Sequence, residues 1–152
     1  MVVTFSQAVV AKDLDAVEDM LADDVVFTSP VAHKPYPGKA ITISILRAVV
    51  EVFDDFQYVR EIHDDGGREH AYVFTATVDG WAVTGCDFLT LNEDGKIVDF
   101  MVMVRPLKAA QALSAAMGAR FADIQANAVA WMQAHQGVDR QTRTLGTPSG
   151  AP

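Results

Sequence analysis

Residues His70 to Pro106 read HAYVFTATVDG, then WAVTGCDFLTLNEDG, then KIVDFMVMVRP. Three long runs rich in β-branched and aromatic residues are joined by Asp79-Gly80 and by Asn92-Glu93-Asp94-Gly95. An Asp-Gly pair between alternating runs predicts a tight hairpin, because the mirror-image turn needs positive φ at both central positions. The stretch is therefore a three-stranded meander. One acid, Asp87, sits in its middle strand between Cys86 and Phe88.

Upstream, Thr4 to Leu21 reads as helix. Thr4 with Gln7 three residues on forms a capping-box pattern, and Asp13 is placed to end one helix and cap a second. Val25 to Thr28 is a short strand. Ser29 to Gly38 carries three prolines and reads as loop, since proline removes a donor and restricts its neighbours. Lys39 to Phe56 has apolar residues at helical spacing (Ile41, Ile45, Val49, Val52, Phe53, Phe56). Gln57 to His63 is a further strand, followed by a turn over Asp64 to Gly67. Downstream, Leu107 to Gln136 is an alanine-rich helix with an apolar side at Leu113, Met117, Phe121, Ile124, Ala128, Trp131 and Met132. Gly118 is a candidate kink or break, and Gly137 a candidate C-cap. The polar residues after it read as a flexible tail.

A chain of 152 residues with 50% hydrophobic content fits one domain with a sizeable core. Its order of elements predicts an α+β fold with a mainly antiparallel sheet. The expected division is an α+β part over 1–106, a helical extension over 107–137 and a tail over 138–152. A net charge of −8 excludes a nucleic-acid binder, which needs clustered Lys and Arg. No apolar run reaches the roughly 18 residues of a membrane span, and no signal peptide is recognised. The single cysteine leaves no internal disulfide. These features predict a soluble, cytoplasmic protein. The last strand is apolar on both faces, with Phe100, Val102 and Val104 on one and Met101 and Met103 on the other. Its second face is therefore expected to be covered, by the final helix or, in the favoured reading, by a second copy in a homodimer.

The order and spacing of Asp13-Leu14-Asp15, Ala22-Asp23-Asp24, Pro30-Val31, Pro35, Gly38, Asp87-Phe88 and Asn92 to Ile97 resemble the nuclear transport factor 2-like superfamily. The likeness is to its SnoaL-like and ketosteroid-isomerase-like members and covers about residues 4 to 105. The resemblance implies a strongly curved sheet wrapped round the helices in a cone, with an apolar pocket inside and dimers through the outer face. It also implies functions ranging from isomerase, dehydratase, cyclase and epoxide hydrolase to simple binding. In the steroid isomerases an aspartate base works with a tyrosine and a carboxylic acid kept protonated by its apolar site. The protonated acid falls on Asp87. The base falls on Ser29 and the tyrosine on Phe5, so steroid isomerisation itself is not expected.

Period-two alternation places Val83, Gly85 and Leu89 on the side of Asp87. Among such neighbours a carboxyl group has its charged form disfavoured and its pKa raised. It then serves as a neutral donor or as a base near neutral pH; the competing reading is a structural carboxylate satisfied by a backbone N–H or an arginine. His33 and Tyr36, both in the proline-rich loop, are the expected catalytic partners. His63 and His70 are alternative bases, and Tyr58 an alternative donor. Phe5, Ser29, Phe53, Phe74, Leu89 and Val102 are the expected ligand-binding residues. No zinc site is expected from the histidine spacing, and no cofactor. Two functions stay open: a cofactor-independent acid–base enzyme on a small hydrophobic carbonyl compound (isomerase, dehydratase or cyclase type), or a non-catalytic binding or accessory protein with the same cavity.

Overall fold

A computed structural model describes residues 3–144. The capping box forms: Gln7 N donates to Thr4 Oγ1 and Thr4 N donates to Gln7 Oε1. It opens α1 (Phe5–Val10). Lys12 then turns through a left-handed conformation, and the Asp13 carboxylate accepts from Ala16 N to start α2 (Leu14–Met20). The strand expected at Val25 begins four residues earlier, as β1 (Leu21–Thr28). The proline-rich loop holds a two-residue strand, β2 (Tyr36–Pro37), and leads into α3 (Lys39–Val52).

The helix expected to reach Phe56 stops at Val52. Phe53 is already extended, and β3 (Asp54–His63) takes over. The meander follows as β4 (Glu69–Val78), β5 (Trp81–Leu91) and β6 (Ile97–Arg105). Asp79 and Gly80 both have positive φ, as the expected turn requires. After Arg105-Pro106 the chain enters α4 (Leu107–Thr144), which is continuous through Gly118 and runs past Gly137. Neither expected glycine effect operates: there is no break at Gly118 and no cap at Gly137. The tail expected from residue 138 is helical to Thr144; its remainder, 145–152, lies outside the described residues.

The strands form one curved, unclosed sheet in the order β2-β1-β6-β5-β4-β3. Every pairing is antiparallel except that of β1 with β6, where Phe27 stands beside Phe100. Register bulges interrupt β3 between Tyr58 and Arg60 and β1 between Leu21 and Val26. Such bulges bend a sheet and increase its twist. The helices lie on the inner face. Against it Phe5, Leu14, Val17, Ile43 and Phe100 form one buried cluster. Phe53, Phe74, Val83, Ala109 and Leu113 form a second. The final helix is thus part of the inner packing and leaves the outer sheet face bare. No helix among the described residues is long and apolar enough to cross a membrane.

Candidate functional site

Between the sheet and the helices lies a cavity of about 220 Å³. Its walls are apolar, with Phe5, Val49, Phe53, Phe74, Val102 and Leu113 among them. Asp87 projects into it from β5. Alternation along β5 buries Val83, Gly85, Asp87 and Leu89 together, as the strand periodicity requires. Gly85 is indispensable to this surface. A Cβ there would collide with the ring of Phe74, which lies directly over it.

The carboxyl group has one partner. Tyr58 Oη donates to Asp87 Oδ2 at 2.7 Å. Tyr58 stands on β3, two strands away, because β4 lies between β3 and β5. The phenol spans that gap on the concave side of a curved sheet, held edge-on by Phe56 at 5.0 Å and packed near Tyr72 at 5.6 Å. Asp87 Oδ1 has no hydrogen-bond partner among the described residues. No buried side-chain oxygen there is left unsatisfied, so Oδ1 keeps some accessible surface, and the space it meets is the cavity.

Burial pushes the Asp87 pKa up from 3.8 to about 7, against the pull of the Tyr58 hydrogen bond, which lowers it. Desolvation dominates because a carboxylate loses far more hydration than one hydroxyl replaces. Tyr58 is driven far above the ordinary phenol range, first by its own burial and then by Asp87, so it remains a proton donor. The pair therefore combines a carboxyl group poised between its two forms near neutral pH with a phenol that holds its proton.

Of the residues expected at the site, Phe5, Ser29, Phe53, Phe74, Asp87 and Val102 line the cavity. Three do not. Leu89 is buried two residues beyond Asp87, beside Phe100. His33 is exposed in the loop. Tyr36 belongs to β2 and packs on Phe121 of α4 at 6.1 Å. The loop lines the cavity at Ser29 to Val31, but its second half is drawn away because β2 pairs with β1 at the sheet edge, Phe27 beside Tyr36. The Ser29 hydroxyl accepts from Val31 N at 3.1 Å, a local turn bond.

Other lining residues were not singled out from sequence. Leu113 and Met117 come from α4, and the exposed Lys12, Asp54 and Asp55 sit at the rim. The apolar spacing of Leu113 and Met117 was the available signal for the α4 contribution. For Tyr58 the signal was the inward pair Phe56 and Tyr58 around Gln57, which the overlong helix assignment concealed. Among the described residues no group of three or more His, Cys, Asp or Glu side chains is placed to hold a metal ion together.

The sequence profile of a family described as the SnoaL-like domain matches residues 2–100. No curated protein matches the sequence. Among solved structures, a steroid delta-isomerase from Pseudomonas aeruginosa is 41% identical, with a TM-score of 0.73 over 78% of this chain and 87% of that one. An uncharacterised protein with a cystatin-like fold from Silicibacter pomeroyi is 36% identical, with a TM-score of 0.72 over 76% and 80%. A polyketide cyclase-like structure from Xanthomonas campestris is 20% identical, with a TM-score of 0.56 over 70% and 90%, a likeness of fold.

Proposed function

The chain belongs to the SnoaL-like domain family within the nuclear transport factor 2-like fold, and from that premise we propose that it moves a proton on a small, largely apolar carbonyl compound. In this reading the ligand enters the cavity with its reacting carbon or oxygen at Asp87 Oδ1. The carboxylate takes a proton and the carboxylic acid returns it elsewhere on the ligand. That outline covers isomerisation, dehydration and cyclisation, and none of them needs a cofactor when the acid titrates near neutral pH. Tyr58 holds Asp87 in orientation; His33 and Tyr36 have no part. The observation that carries the reading is the 2.7 Å contact of Tyr58 with Asp87 inside a cavity.

Size narrows the ligand. An apolar cavity of roughly 150 Å³ takes benzene, so about 220 Å³ suits one or two rings rather than four fused ones. Phe5 and Ser29, on which the resemblance places the tyrosine and the base of a steroid isomerase, line the cavity and supply neither group. The proposed chemistry is accordingly not the three-group steroid reaction.

The test is deuterium incorporation α to the carbonyl of one- and two-ring ketones in D₂O, followed by mass spectrometry. Asp87→Asn is expected to lower the exchange rate by about 10²- to 10⁴-fold. An unchanged rate in that variant would refute the assignment. A second reading, binding without chemistry, is favoured by Ser29, whose hydroxyl is engaged in a turn. It predicts a copurifying ligand in native mass spectrometry and no exchange in either protein. The proposal also includes a homodimer through the outer sheet face, where Ile62, Phe88 and Met103 are exposed.

A further inference from the structure

The hairpin of β3 and β4 carries a second arrangement, outside the cavity lining. His63 and His70 are direct cross-strand partners at its end. Their Nδ1 atoms face each other at 2.6 Å. The far nitrogen of each ring is already engaged. His70 Nε2 lies 2.9 Å from the carbonyl oxygen of Gly67. A carbonyl only accepts, so this nitrogen carries a proton and His70 Nδ1 is left with a lone pair when the ring is neutral. His63 Nε2 lies 3.8 Å from Glu61 Oε2, within ion-pair range. With His70 Nδ1 accepting, the hydrogen between the rings belongs to His63 Nδ1.

Replacing that hydrogen by a metal ion satisfies every ring nitrogen at once. Both Nδ1 atoms then bind the ion. Both Nε2–H groups donate, one to a backbone carbonyl and one towards a carboxylate. That is the outer-shell pattern of metal-bound histidines. We infer that His63 and His70 form a two-imidazole clamp for a borderline divalent cation of the zinc, nickel or copper type. Solvent fills the remaining coordination positions. The Nδ1 atoms must separate to about 3.3 Å for tetrahedral ligation at ~2.0 Å. The His63 side chain is 43% exposed, so its ring is free to make that adjustment. Around the pair the hairpin carries Glu61, Asp64, Asp65 and Glu69 against Arg60 and Arg68. The hairpin end is thus anionic and attracts cations.

The experiment is calorimetric and thermal titration of tag-free protein with ZnCl₂ at pH 7.5. One zinc per chain is expected. At a hundredfold excess over Kd, Tm should rise by about 5–10 °C. CaCl₂ should give no shift, because imidazole does not suit a hard cation. His63→Gln and His70→Gln should each abolish the zinc shift. Calcium reproducing the shift, or either variant retaining it, overturns the clamp. In case a variant fails to fold, the imidazole NMR resonances of His63 and His70 in the wild-type protein provide a direct readout. They must move on adding zinc, and their staying in place overturns the inference equally.

Discussion

Asp87 has an energetic cost that can be measured apart from any activity. Its native pKa of about 7 lies above its ordinary 3.8. Between those values the folded protein binds more protons than the unfolded chain, so stability falls as pH rises through that window. The full gap corresponds to about 4 kcal/mol. Urea unfolding at pH 5 and pH 8 should therefore show a loss in the wild-type protein that is largely absent from Asp87→Asn, whose amide stays neutral and still accepts from Tyr58. Equal losses would place the titration elsewhere. Tyr58→Phe removes the one contact that lowers the Asp87 pKa, so the pH limb of the exchange reaction should move above 7. It should also cost about 1–3 kcal/mol at pH 8, where an ionised carboxylate loses its donor. The inward direction of Asp87 was legible from alternation alone, since side chains in a strand change face at every residue. The identity of its partner was not.

At the level of elements, the decisive junction is the end of α3. Val52, Phe53 and Phe56 continue the helical spacing, yet the chain turns extended at Phe53 and puts Phe56 and Tyr58 on one face of β3. Burial of both rings against Phe74 outweighs local propensity, as tertiary packing commonly does. Phe56 stacks on Phe74 at 4.9 Å, and Phe74 in turn covers Gly85. Gly85→Ala should therefore cost about 1–3 kcal/mol by overpacking, with a ligand-binding defect as the ring of Phe74 is pushed toward the cavity. The final helix matters for the same reason. Leu113 is 3% exposed and forms part of the cavity wall. Leu113→Ala should cost about 2–5 kcal/mol, read by urea midpoints. Gly118 lowers helix propensity by only ~1 kcal/mol relative to alanine, a cost that the packing of Met117 and Phe121 against the core offsets.

At the scale of the whole molecule, the sheet has two unlike faces. The inner one is filled by α1 to α4. On the outer one Val73, Cys86 and Met103 form one cross-strand row, and Ile62, Ala71, Phe88 and Met101 form the next. Phe88 is 37% and Met103 53% exposed, so the centre of this face is open and apolar. A stable interface needs about 800 Å² per partner, and two adjacent rows crossing four strands are suited to provide it. Light scattering at tens of micromolar should accordingly give twice the chain mass of 16.5 kDa. Met103→Glu should return the monomer, since a charge would be buried without a counter-ion. A wild-type monomer at that concentration would leave the outer face without the proposed role.

The sequence by itself determined what depends on near neighbours. That includes the Thr4 cap, the Asp13 boundary, the Asp79-Gly80 turn, the strand alternation that turns Asp87 inward, and the spacing that matched a known fold. Each of these is written within a few residues, where backbone geometry and side-chain period leave little choice. The tertiary structure decided which groups meet. Tyr58 reaches Asp87 across an intervening strand only because the bulged sheet curves. Leu113 and Met117 close the cavity only because α4 folds back over the inner face. Tyr36 is carried to the sheet edge by a two-residue strand. Such meetings depend on curvature, register and long-range packing, which arise from the sum of many weak contacts spread along the chain.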